Sequence, residues 1–137
     1  MAIATIASSN MACPRFLPNT ILAGSSPASP LGALFAGQCA AAATEAIGDA
    51  LLQTGCNQGY ARERCAAAAE SPVDADRFRI KSHAAGVIEV AWSEERDHHP
   101  VAVGVLELRE VPVGSEPLEQ QARACVAVYL RRKGVNW

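Results

Sequence analysis

The sequence predicts an α+β domain with an N-terminal αα-hairpin, a three-stranded antiparallel β-meander and a C-terminal helix packed on one face of the sheet. Three observations carry this. Apolar side chains recur at three- and four-residue steps from Leu31 to Ala42, the period of one helix face. Between Arg77 and Arg109 the period changes to two in three successive runs, the signature of half-buried strands. From Glu116 the helical period returns and stops at Gly134.

Residues 1–30 hold half of the eight prolines and no acid. Proline fixes φ and removes a donor, so a long helix is excluded there. The stretch reads as a flexible or extended arm preceding a single domain over 31–137. No basic residue precedes Arg15 and the apolar runs are short, which is unlike a secretory signal. An acid-free, hydroxyl-rich start suits an organelle transit peptide as the alternative to a cytoplasmic protein.

In the first helix, Ser29 is placed to cap and Pro30 to open the first turn. Gly55 is placed to end it. The uncharged run Leu31–Ala43 is about 13 residues of mostly Ala and Gly, where a membrane span needs roughly 20 strongly apolar ones. A second helix is expected over Gln58–Glu70, stopping before Ser71-Pro72, with Cys56 at the bend.

The meander follows the Pro72–Asp76 turn. Its strands are Arg77–His83, Gly86–Trp92 and Val101–Arg109. Pairing Ile80 with Ile88 keeps apolar residues together and sets Arg79 opposite Glu89. Pairing Trp92 with Val101 then makes residues 93–100 the connecting loop, and Glu94–Pro100 (EERDHHP) falls within it. In the last helix Leu118, Ala122, Cys125, Val126, Tyr129 and Leu130 form one apolar face. Arg131, Arg132 and Lys133 occupy the last turn, where the helix dipole favours cations.

Composition narrows the function classes. Net charge is −2, which gives no whole-molecule attraction to nucleic acid or anionic lipid. Five cysteines cannot all pair within one chain, and no C-x-x-C motif occurs, so free thiols are expected. The rival arrangement is a Cys56–Cys65 bridge. His98 and His99 beside Asp97 resemble a metal or acid–base site, but zinc requires three or four convergent ligands and the spacing supplies no third. The same residues also suit a polar turn. No phosphate loop, dinucleotide fingerprint or nucleophile elbow is present. No catalytic residue, metal ligand or cofactor is therefore assigned.

On this register Val87, Ala91, Leu106 and Leu108 share the sheet face away from the helix, beside the basic stripe Arg77, Arg79 and Lys81. A face meant only for water would be more polar. It is expected to meet the N-terminal arm, a second copy or a partner protein. The resulting expectation is a non-enzymatic interaction protein, as adaptor, inhibitor, chaperone-like factor or assembly subunit, that binds a protein partner or forms a homo-oligomer. The alternatives are a small enzyme using the 94–100 loop or a cysteine, and a nucleic-acid module using the basic strand. Against the last, Ser115–Glu119 opens the final helix with acids, where RNA-binding folds of similar element order place basic residues to meet phosphate.

Overall fold

The computed structural model describes residues 10–21, 35–40, 47–48, 56–57, 59–60, 62–63, 65–111 and 116–137. Its elements are β1 (Asn10–Ala12), β2 (Phe16–Ile21), β3 (Phe35–Cys39), α1 (Ala66–Ala69), β4 (Ala75–Ala84), β5 (Val87–Arg96), β6 (His99–Leu108) and α2 (Pro117–Lys133). β1, β4, β5 and β6 form an antiparallel sheet in that order, while β2 and β3 pair as a separate antiparallel ribbon. The class is α+β, with the three-stranded meander and the C-terminal helix on its sheet. No helix among the described residues is long and apolar enough to cross a membrane.

α2 follows its sequence closely. Pro117 sits in the first turn, and Gly134 takes the left-handed conformation (φ 66°) while its N–H bonds Leu130 O at 2.9 Å. That is the conformation glycine reaches without a Cβ penalty. Ala122, Cys125 and Val126 are buried, and Leu118, Tyr129 and Leu130 pack against them. Gln121, Ala124 and Val128 are buried as well, because the helix also packs against β2. Gln121 Nε2 donates to Cys13 O at 2.7 Å and to Phe16 O at 2.8 Å, so the second sheet is tied to the helix by one amide.

The αα-hairpin is corrected where residues are described. Phe35–Cys39, expected inside the first helix, is a strand paired with Phe16–Ile21. Gly37 explains part of the choice: a Cβ there would lie 2.1 Å from Leu17 O, so this backbone approach admits only glycine. Asn57 completes the ribbon, accepting from Phe35 N–H at 2.9 Å and donating to Phe35 O at 3.0 Å. The expected second helix shrinks to Ala66–Ala69. Ahead of it Tyr60 has φ 54°, which no right-handed helix allows. Ser29-Pro30 and Gly55, the expected cap, first-turn residue and terminator, lie outside the described residues.

Within the meander the register differs from expectation. Phe78 faces Trp92 and Ile80 faces Val90, with a bulge at Lys81; Trp92 faces Gly104 and Val90 faces Leu106. Phe78, Ile88, Val90 and Leu108 are buried beneath α2 with Phe16 and Phe35 from the ribbon. Each such burial contributes about 1.5–3 kcal/mol relative to exposure. Arg79 lies opposite Ala91, not Glu89. Leu106 and Leu108 therefore belong to the helix-covered face, a correction to their expected place on the open one.

Candidate functional site

The 94–100 stretch is not a loop of seven or eight residues. β5 runs to Arg96, β6 starts at His99, and only Asp97 and His98 turn the chain, with φ 51° and 65°. Positive φ at both positions is the pattern of a type I′ hairpin turn, whose twist matches that of the strands. Asp and His tolerate this region better than most residues.

Around that turn the side chains form a clasp with the segment before β4. Asp74 pairs with Arg62 and accepts the Asp97 amide at 2.9 Å. Burial alone would raise the Asp74 carboxyl, but the Asp97 amide and the Arg62 guanidinium outweigh it and hold the pKa below the usual range. Arg62 also donates to Ala69 O and Ser71 O. Glu95 is buried, paired with Arg77, and accepts from Tyr60 Oη at 2.6 Å. Here too burial opposes, and the Arg77 and Tyr60 donors prevail, so Glu95 stays low. The Tyr60 phenol is pushed up to about 12 by burial and by Glu95. It accepts the His98 amide at 3.0 Å and stacks on the His98 ring at 4.4 Å. His98 is thus engaged as a turn residue and ring partner, while His99 is exposed. No group of three or more His, Cys, Asp or Glu among the described residues is arranged to hold a metal ion.

A second polar feature escaped the sequence reading. Asp76 lies opposite Glu94 on the covered face, fully buried, with a side-chain hydrogen bond to Glu94 and Oδ1 unpartnered. Burial first, then Glu94, pushes its carboxyl up to about 7. The signal was available: Asp76 precedes Phe78 by two, and the strand period places both on one face.

The open face is built by register. β4 contributes Arg77 and Arg79, β5 contributes Val87, Glu89, Ala91 and Ser93, and β6 contributes Val103, Val105 and Glu107. Val101 occupies a bulge at the start of the same edge. Val101, Val103 and Val105 are 58%, 71% and 44% exposed. A shallow depression of about 370 Å³ lies over Ala91 and Ser93, bordered by Arg77, Arg79, Val103 and Val105. Of the residues singled out from sequence, Val87, Ala91, Arg77 and Arg79 come together here, and Lys81 is exposed in the β4 bulge. Leu106 and Leu108 do not join them. Their place is taken by the three valines, which the expected pairing of Trp92 with Val101 would have set on the helix side.

The basic stripe is divided. Arg77 is spent on Glu95, whereas Arg79 and Lys81 are exposed and form no ion pair among the described residues. Trp137 packs back on the core with Arg123 5.6 Å from its ring centroid. The five thiols are free. Compared with family models, curated proteins and solved structures, the chain matches none of them.

Proposed function

We propose that the chain is a non-enzymatic interaction protein, an adaptor, inhibitor, chaperone-like factor or assembly subunit. It docks a protein surface, its own or another's, on the open face of the meander. The observation that carries this reading is the row Val101, Val103 and Val105, left largely exposed on a face the helix does not cover. Contiguous exposed apolar side chains rimmed by polar ones mark interaction surfaces. Ala91, opposite Val105, continues the apolar strip, Glu89 and Glu107 bound it on the side of Val87, and Arg79 and Lys81 supply a cationic rim.

The test replaces Val103 and Val105 together with lysine and compares circular dichroism, melting temperature and the proteins that co-purify from the source cells. Intact folding with loss of a specific co-purifying chain supports docking. Unfolding would make the valines ordinary core and end the reading.

A further inference from the structure

We propose that Cys13 and Cys56 are a redox-modification site, joined as a disulfide when the chain meets a low-molecular-weight disulfide such as oxidised glutathione, with Cys39 as the thiol through which exchange enters. Both residues belong to the core beneath α2, so the site stands apart from the open face and does not depend on the docking reading.

Far apart in sequence, the two residues are neighbours in the fold. Cys13 lies at the corner between β1 and β2, and its N–H donates to Cys56 O at 3.1 Å. A backbone bond of this kind sets two α-carbons roughly 5–6 Å apart, inside the span of about 4.4–6.8 Å that a disulfide bridges. Both side chains are buried in one cluster with Phe16 and Phe35, so both thiols turn inward from that shared bond. The corner is held in place, since Cys13 O accepts from Phe16 N–H at 3.0 Å and from Gln121 Nε2 at 2.7 Å. Sequence order alone favours Cys65 as the partner of Cys56. Cys65 packs against the same cluster only partly buried, and among the neighbouring thiols Cys13 weighs most on Cys56.

Neither buried thiol meets the oxidant first. Burial pushes Cys13 up to about 11 and Cys56 up to about 12, which leaves little of the attacking thiolate. Cys39 is half-buried at the end of β3, opposite Phe16 and thus next to the Cys13 corner. Its thiolate attacks one sulfur of oxidised glutathione, breaking that S–S bond and releasing one glutathione thiolate. The Cys13 thiolate attacks the Cys39 sulfur of the mixed disulfide and expels the second glutathione. The Cys56 thiolate then attacks the Cys13 sulfur, which forms the Cys13–Cys56 bond and returns Cys39 as thiolate. Two protein thiols lose two protons and two electrons, and one glutathione disulfide becomes two glutathione thiols. The bridge fastens the β1–β2 corner to the residue beside Asn57, whose amide holds Phe35, so oxidation locks the ribbon in place.

The test incubates the reduced full chain with oxidised glutathione at about pH 8 and maps linked peptides by mass spectrometry without reduction. A glutathione adduct on Cys39 is expected early, and a Cys13–Cys56 linked peptide as the end product. The oxidised chain should melt about 5 °C or more above the reduced one. Cys39→Ser should slow bridging by about tenfold or more. An end product that pairs Cys56 with Cys65, or no bridge within the chain, overturns the site. So does a bridge that forms only in denaturant, because the folded geometry would not be its source. Bridging at the wild-type rate in Cys39→Ser overturns the entry route. If that variant fails to fold, the order in which adduct and bridge appear in the wild type decides the route.

Discussion

Trp92 and Gly104 face each other across the β5–β6 ladder, and a Cβ built on Gly104 would lie 2.5 Å from Cζ2 of the indole. The glycine is the space into which the tryptophan leans. Gly104→Val should displace the ring and cost about 1–3 kcal/mol, the usual range for overpacking. The check is the urea midpoint. An unchanged midpoint would show that the indole can move aside without loss.

Asp76 sets a pH dependence. Its folded pKa is about 7, against about 4 in an unfolded chain. Between those values the folded protein holds a proton that the unfolded chain has released. Stability therefore falls as pH rises from about 4 to 7. Asp74 and Glu95 act in the opposite sense: their pKa values are lowered, so their contribution is present above about pH 4 and lost as pH falls below it. Maximum stability is expected near pH 4–5. Asp76→Asn should flatten the neutral limb and raise stability at about pH 8 by about 1–3 kcal/mol. Denaturant curves at three pH values measure this directly, and parallel wild-type and variant profiles would contradict it.

Asn57 supplies both hydrogen bonds that Phe35 would otherwise seek from a neighbouring strand. Asn57→Leu leaves a buried N–H and a buried C=O without these partners, at a cost of about 2–4 kcal/mol. Thermal melting should show the loss, and fluorine labels on Phe16 and Phe35 would report whether the ribbon opens first. A variant as stable as wild type would mean that water or another group takes over both bonds.

The thiols should separate by reactivity. Burial, joined by neighbouring thiols, pushes Cys13 up to about 11 and Cys56 up to about 12, and the thiolate is the nucleophile. Cys39 and Cys65 are half-buried. Iodoacetamide at about pH 8 should label Cys39 and Cys65 first, with Cys13 and Cys56 following only on denaturation. Peptide mass spectrometry resolves the order. Early labelling of Cys56 would reveal local opening of the segment it occupies.

The last helix and the existence of the meander were legible because their periods are unambiguous. The register was not, for a specific reason. Both phases of β6 are apolar, Val101, Val103 and Val105 in one and Ala102, Leu106 and Leu108 in the other. A hydrophobic pattern cannot choose between two apolar phases. Volume could have chosen, since Gly104 alone leaves room for Trp92. The region from Leu31 misled through its helix-like spacing, which the pairing of Phe35–Cys39 with Phe16–Ile21 overrode. The 94–100 stretch was read as a connecting loop throughout, whereas only Asp97 and His98 turn and the rest is strand; its clasp depended on Tyr60 and Arg62, whose proximity no local pattern encodes. The candidate surface was half legible: Val87, Ala91, Arg77 and Arg79 are in place, and the valines that dominate it were hidden by the register.

The single amide of Gln121 also sets an order of events during synthesis. Its bonds to Cys13 and Phe16 bridge 108 and 105 residues. While the ribosome is still reading the meander, the first strands have no helix to lie against. Contacts of such long sequence separation are made late and slowly. A nascent chain would hold β2 and its Phe16 open to solvent until α2 emerged, an interval in which a chaperone would find its binding site.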